Sequence, residues 1–446
     1  MSLFTLSFNT RMFRRTDLFA MLIIAMSASL SYAESSDLPE TQANPLFTHL
    51  APSQEVSTPT ELEKKAAKIH AGLLTLDTHL DTAMQLARPG WDVLSRHTYE
   101  SDFSQIDLRR MQEGGLKGGF WAIYTPQGPR TLEGNALAAE HGLATAARIR
   151  DLTLRYPNQF GLALRADDAA KIAASGRSVV FLSMENAAPL SNDPALLGMF
   201  QRLGLRMLGL VHTKNNDFAD SSTDKPEWHG LSPAGKKLIT AANCQGLVID
   251  VSHASDDVFD QALELSATPI IASHSGSKAI FDHPRNLDDA RIVKLANKGG
   301  VIQINSFKTY LAPVEKDPVR GAVQEQIYAN FNVFGTLTAD KTKTLAATYA
   351  ELNQKIPPAT KPDFEDFMQH LLHVLKLVGP QHVGIGADWD GGGGVPGLED
   401  VSKLPKITAR LLAAGYSEKD LRQIWGENVL RVLRNAEQYA ATCKPS

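Results

Sequence analysis

Cysteine is nearly missing: Cys244 and Cys443 are the two thiols in 446 residues. That is too few for a disulfide scaffold. In an oxidising compartment the two either pair, if the helices predicted before them end on the same side of the fold, or stay as free buried thiols. Excess charge of one sign is missing as well. The formal net charge is -4 and no long Lys/Arg block occurs, so nothing marks a nucleic-acid footprint and a small-molecule partner is the expectation. The apolar run from Leu18 to Leu30 is too short to span a bilayer comfortably. No internal repeat of fixed period is present. What the chain does have is 43% hydrophobic residues, ample for the core of one large α/β domain or two ordinary ones.

The first residues read apart from the fold. Arg11, Arg14 and Arg15 precede the Leu18 to Leu30 run, and Ser31-Tyr32-Ala33 follows it, which is the order of a secretory signal. The alternative, a buried N-terminal helix, lacks helical periodicity. Without a cysteine near the cleavage position a lipid anchor is not expected. Residues 1–33 are therefore expected to be removed, leaving a secreted or periplasmic chain that begins near Glu34 and carries no transmembrane segment. Residues 34–60, rich in Ser, Thr, Pro and Glu, read as a linker or surface arm, 61–440 as one domain, and 441–446 as a tail.

Within 61–440, eight apolar strand-like runs alternate with helical patterns: Leu73 to Thr78, Gly119 to Tyr124, Ser178 to Met184, Arg206 to Val211, Leu247 to Ser252, Pro269 to Ser273, Gly300 to Asn305 and Val383 to Ala387. The amphipathic stretches Gly134 to Tyr156, Pro233 to Cys244, Asp256 to Leu265 and Asp288 to Asn297 lie between them. Such alternation implies a parallel sheet buried on both faces, and eight units fit a (β/α)₈ TIM-type barrel. The rival, a doubly wound sheet, calls for a Gly-rich phosphate turn after the first strand, where His79-Leu80-Asp81 stands instead. Gly391 to Gly394 reads as a flexible loop, since no helix start and acidic partner follow it. The stretch from about Tyr310 to Pro362 is long for a βα connection, carries Pro-rich and helical pieces, and is read as an insert before the last strand, forming an elaborated loop near the mouth or a contact surface.

In a strand the side-chain period is two, so His79 and Asp81 leave the same face and can reach one point in space. Glu185, His212, His253, His274 and Asp388 each close, or sit just past, a run of the same kind. In a TIM-type barrel those ends converge on one face, so the candidates fall into one pocket although none is adjacent in sequence. A lone His at a strand end is more often capped or solvated; the shared position of all these residues is what argues for a site. Imidazoles and carboxylates without thiolates suit zinc or another borderline divalent ion. The set exceeds what one catalytic zinc needs, so two ions are expected, about 3.5–4 Å apart, bridged by a carboxylate such as Glu185 and by a water or hydroxide.

These residues resemble the membrane (renal) dipeptidase family of zinc peptidases, amidohydrolase-like barrels, in a bacterial-type secreted form. The resemblance rests on Asp77-Thr78-His79-Leu80-Asp81, Asp107-Leu108-Arg109-Arg110, Gly119-Phe120-Trp121-Ala122-Ile123-Tyr124, Met184-Glu185-Asn186, Leu210-Val211-His212-Thr213-Lys214-Asn215, Ala219-Asp220, Ile249-Asp250-Val251-Ser252-His253, Ser273-His274-Ser275, Pro284-Arg285-Asn286 and Gly384-Ile385-Gly386-Ala387-Asp388-Trp389-Asp390-Gly391. It implies that His79, Asp81 and Glu185 bind one zinc and that Glu185, His253 and His274 bind the second. It further implies that His212 contacts the substrate and supports the developing oxyanion, that Arg285 clamps the substrate carboxylate, and that Asp388 shuttles the proton. The implied reaction is hydrolysis of dipeptides with a free C-terminal carboxylate. Other amide, lactone or β-lactam hydrolysis on the same centre is the alternative, as is a metal-binding relative without catalysis. The chain lacks the cysteine pattern and C-terminal anchor signal of mammalian members, which argues against a tethered, disulfide-linked dimer and leaves a homodimer of another kind open.

The remaining histidines carry structural readings. His370 and His373, three apart on a predicted helix from Phe364 to Leu377, are expected to pack against its leucines. Asp390 is either a support for the site or a turn residue, and Asp77 is expected to support the strand end.

Overall fold

The computed structural model describes residues 60–443, apart from 192 and 332–336. The predicted signal segment, the arm up to residue 59 and the last three residues of the tail lie outside the described residues. Thr60 is the N-cap of the first helix, Glu61–Gly72, in a capping box with Glu63.

Eight strands run in chain order around a parallel barrel: β1 Leu76–Leu80, β2 Gly118–Tyr124, β3 Ser178–Glu185, β4 Leu205–Gly209, β5 Val248–Asp250, β6 Ile271–Ser277, β7 Val301–Ile304 and β8 Val383–Ile385. Nearly every residue in them is buried, as strands covered on both faces require. The ring is closed from β8 to β1 by the Leu80–Trp389 bridge, where Asp81 N donates to Trp389 O at 2.9 Å. Asp77 reinforces that seam as expected: its carboxylate accepts from His79 N at 2.9 Å and from Ala387 N at 3.1 Å. Two short strands lie outside the ring, Phe160–Leu162 beside β3 and Asn286–Leu287 beside β6.

Three strands extend past the ends of their apolar runs: β3 includes Glu185, one residue beyond the expected end at Met184, and two others go further. β1 includes His79 and β6 includes His274, although the runs suggested ends at Thr78 and Ser273. Hydrophobicity marks where a strand is dry, whereas the ladder is carried by the backbone. Gly276 and Ser277 keep pairing, with Asn286 and Leu287, after the apolar residues stop.

Between strands the predicted helices form as Leu132–Arg155, Pro233–Cys244, Asp256–Leu265 and Asp289–Asn297. Thr131, Ser232, Ser255 and Asp288 cap their N-termini, each side chain accepting a first-turn amide. The insert between β7 and β8 has the helical pieces expected of it. It carries the helices Pro318–Phe331 and Ala339–Lys355 with a small core of Ile327, Leu337, Leu345 and Leu352, packed against Phe103 of the β1–β2 connection. The C-terminal helix Asn428–Ala440 buries Val429, Leu430, Val432, Leu433 and Ala436 against the first residues of the strands, among them Leu76, Val179, Val248 and Val301. Of the two fates open to the cysteines, pairing is the one realised: Cys244 and Cys443 form a disulfide with a Cα–Cα separation of 5.3 Å. Among the described residues no helix is long and apolar enough to cross a membrane.

Candidate metal centre

The barrel brings every residue singled out at the strand ends to one place. His79 and His274 project from within β1 and β6, and Glu185 is the last residue of β3. His212, His253 and Asp388 each stand three residues beyond a strand, after β4, β5 and β8. His253 and Asp388 hold left-handed backbones, φ 67° and 66°, as does Asn186 beside Glu185 at 73°. Such conformations are uncommon outside glycine and gather where the fold aims a side chain.

Glu185 lies at the centre. Its Oε2 faces His79 Nε2 at 3.4 Å, while its Oε1 faces His253 Nε2 at 3.0 Å, His274 Nε2 at 3.5 Å and His212 Nε2 at 3.7 Å. Asp81 Oδ2 is 3.2 Å from His79 Nε2. Three overlapping triads, His79–Glu185–His274, Glu185–His212–His253 and His79–Asp81–Asp388, each place their ligand atoms within 4.8 Å of one another. His79 Nε2 and Asp81 Oδ1 are buried and make no hydrogen bond among the described residues. Buried polar atoms are otherwise almost always satisfied, so convergent nitrogen and oxygen donors left open fit a divalent cation.

The electrostatics agree. Burial, together with the neighbouring Asp81 and Glu185, pushes Asp388 well above the usual carboxylate range, and burial also raises Asp81. For Glu185 burial acts upward but His79 and His212 outweigh it, holding this carboxyl well below its ordinary value. Burial, with Arg285 for His253 and His79 for His274, keeps both imidazoles well below 6.5 and so neutral, the form that ligates. At His79 burial acts downward and is overcome by Glu185 and Asp81, which raise it. These carboxylates demand positive charge; a proton on His79 or a cation supplies it, and ligation by His79 requires that proton to leave.

Supporting contacts fix the ring orientations. Ser273 Oγ donates to Asp250 Oδ2 at 2.6 Å, so its lone pair accepts from His274 Nδ1 at 2.8 Å; that leaves Nε2, 2.9 Å from His253 Nε2, unprotonated and able to ligate. Gly391 packs against the Asp81 and Asp388 carboxylates so closely that a Cβ there would overlap both. The Gly391 to Gly394 run is thus no loose loop: Gly393 N donates to Asp388 O and Gly394 N to Ser306 Oγ, each at 2.8 Å. Asp390 is both a turn residue, at φ 63°, and a support, accepting from Thr82 Oγ1 at 2.7 Å and Gln105 N at 2.6 Å.

Arg285 is buried at the same end of the barrel, donating from Nη2 to His274 O at 3.1 Å and lying 5.3 Å from the centroid of the Tyr310 ring. Tyr124 sets its ring edge-on to His212 at 5.0 Å. Sequence reasoning missed Tyr310 and the role of Tyr124, Ser273 and Asp250 as neighbours of the centre; only the place of Tyr124 at the very end of β2 hinted at one of them. His370 and His373 stay outside the cluster. His370 accepts from Ser277 N at 3.0 Å and meets Leu311 O at 2.8 Å, while His373 pairs with Asp289 at 2.8 Å, the structural roles expected of them.

A (β/α)₈ barrel with imidazoles and carboxylates buried together at the strand ends defines a metallohydrolase. Residues 63–446 match the membrane dipeptidase family, peptidase family M19. The chain belongs to that family, and with it to the metallopeptidases. Dipeptidase tcpJ of Claviceps purpurea (strain 20.1) is 32% identical over 349 residues, 76% of this chain and 71% of its own length. An uncharacterized dipeptidase of Schizosaccharomyces pombe is 27% identical over 390 residues, 84% of each chain. Among solved structures, the probable dipeptidase PvdM from Pseudomonas aeruginosa superposes with a TM-score of 0.72 at 29% identity, covering 86% of this chain and 100% of that one. The two sequence relatives named above are fungal, so they support the family and lend nothing to the expected bacterial-type, exported form.

Proposed function

We propose that this protein is a dinuclear zinc dipeptidase acting on dipeptides with a free C-terminal carboxylate. The observation that carries this reading is the division of Glu185, one carboxylate oxygen turned to His79 and the other to His253, His274 and, at the longest distance, His212. Such a division suits a carboxylate that two ions would share; His79 and Asp81 would complete one ligand set, and His253 and His274 the other. Bound there, two zinc ions would supply Lewis-acid polarisation of the scissile carbonyl and a nucleophile at neutral pH.

The chain's own groups then divide the remaining work. Arg285, held by His274 O, offers a planar fork to a terminal carboxylate and sets the peptide's direction. His212, on the open side of Glu185, donates to the carbonyl oxygen as charge develops on it. Asp388, beside Asp81 and Gly391, carries the proton to the leaving nitrogen. The names of the relatives, dipeptidases, support the same substrate class.

An exported, oxidising location is part of this reading. The basic and apolar N-terminal segment supports it, and so does the Cys244–Cys443 pair, since disulfides persist in such compartments.

The test is metal analysis with a panel of L,L and L,D dipeptides on zinc-loaded protein. Two zinc ions per chain, activity lost on chelation, and hydrolysis of free dipeptides are expected. One ion per chain at full activity would overturn the dinuclear centre, and a fully loaded protein inert on every dipeptide would overturn the substrate class.

A further inference from the structure

His212 is poorly anchored for a residue asked to meet a developing charge. Its ring has one hydrogen-bonding neighbour among the described residues, Thr213 Oγ1 at 3.2 Å from Nδ1, and no carboxylate at that nitrogen. Its position depends on the loop that carries it, and that loop is tied to the two preceding ones by a pair of amides, Asn186 and Asn216, both fully buried.

Asn216 uses its whole hydrogen-bonding capacity. Nδ2 donates to Asn186 Oδ1 at 2.9 Å and to Leu210 O, two residues before His212, at 2.8 Å. Oδ1 accepts from Phe218 N at 2.8 Å and Ala219 N at 3.0 Å, turning the chain just past His212. Asn186 completes the chain of contacts. Its Nδ2 donates to Thr125 O at 2.8 Å, directly after the Tyr124 whose ring edges on His212, and its Oδ1 also accepts from Ala188 N at 3.1 Å. Asn186 is the neighbour of Glu185 and sits at φ 73°, a conformation asparagine tolerates better than most residues. One amide bridge therefore joins the loops after β2, β3 and β4 at the points that carry Tyr124, Glu185 and His212. Fully satisfied buried polar pairs of this kind fix a single geometry, because a displaced member leaves donors and acceptors unpaired.

We propose that Asn186 and Asn216 are positioning residues that hold His212 in register with Glu185 for the reaction. The proposal rests on His212 acting on the substrate. Asn216→Asp is the discriminating change: it keeps Oδ1 for the amides of Phe218 and Ala219 and removes both donors of the bridge. Asn186→Gly is the second variant, since glycine accepts the positive φ and deletes only the amide.

The experiment measures bound zinc, melting temperature, kcat and KM on one dipeptide, and calorimetric affinity for a phosphinate dipeptide mimic, for each variant alone and combined with His212→Ala. Displacements of about an ångström cost up to about 100-fold, so kcat is expected to fall about 10- to 100-fold with zinc retained and KM within about 2-fold. Affinity for the tetrahedral phosphinate is expected to drop in parallel. In the His212→Ala background the same changes should reduce kcat less than about 2-fold, as sites acting through one another require. Parental kcat and phosphinate affinity in a folded Asn186→Gly protein overturn the proposal, as does an undiminished loss in the His212→Ala background, which assigns the pair to a route that does not pass through His212. Parental kcat in His212→Ala by itself overturns the underlying reading of His212 instead.

Discussion

Asp388 holds φ 66°, and asparagine accepts that backbone about as readily as aspartate, so Asp388→Asn alters the acid–base group and little else. If Asp388 carries the proton, kcat should fall by about 10²–10⁴-fold with a much smaller change in KM and both zinc ions retained. Metal content and steady-state kinetics on the variant check this: near-normal kcat removes the role, and loss of an ion makes Asp388 a ligand. Arg285 admits a sharper comparison. Hydrogen bonds to charged groups contribute about 1.5–3 kcal/mol, so Arg285→Ala should lower kcat/KM on free dipeptides about 10- to 150-fold. It should do far less to their C-terminal amides, and equal losses on both would remove the assignment. Residues such as His79, Glu185 and His253 were legible in the sequence because each interrupts an apolar run with a ligating side chain. The roles of Ser273, Asp250, Asn186 and Asn216 were not, because their partners lie on other strands and loops and a polar residue after a strand looks like any turn.

At the scale of elements, the barrel strands and the capped helices could be read because burial on both faces writes itself as an apolar run and an N-cap as Ser, Thr or Asp. The ends of β1, β3 and β6 could not, since backbone pairing continues where hydrophobicity stops. The insert could be located by its length, but its docking on Phe103 depends on a partner more than 200 residues away in sequence. The first helix shows how tertiary contacts also decide protonation. His70 is buried with Nδ1 2.7 Å from Thr408 Oγ1 and Nε2 2.9 Å from Gly114 O, so the ring is neutral, and burial lowers its pKa to about 4. The unfolded chain, titrating near ~6.5, binds the extra proton first. Between the two values stability therefore rises with pH: the contribution is complete above about 6.5 and is lost as pH falls toward about 4, roughly 3 kcal/mol over the window. Urea unfolding of the parent and of His70→Gln at a series of pH values checks this. The stability gap between them should shrink by that order from pH 7 to pH 4, and a constant gap would show that His70 does not titrate there.

For the whole molecule, the catalytic end and the closed end of the barrel are built from different parts of the same strands. The closed end is covered by the C-terminal helix, whose apolar face lies on Leu76, Val179, Val248 and Val301, and Cys443 just beyond that helix is bonded to Cys244. The bond links positions 199 residues apart, so it ties the last element to the middle of the chain and restricts the unfolded state more than a short loop would. Replacing both cysteines by alanine should lower the unfolding free energy by about 2–4 kcal/mol. The residues of the metal centre stand at the other ends of the strands, so kcat and zinc content should stay at parental values. Denaturant unfolding of the parent with and without reductant, beside the double variant, checks the first expectation, and dipeptide kinetics below the transition check the second. An unchanged midpoint on reduction would show that the helix is held by its apolar face alone. A parallel loss of kcat would show that the two ends are mechanically coupled through the strands, which the separation of the disulfide from the centre argues against.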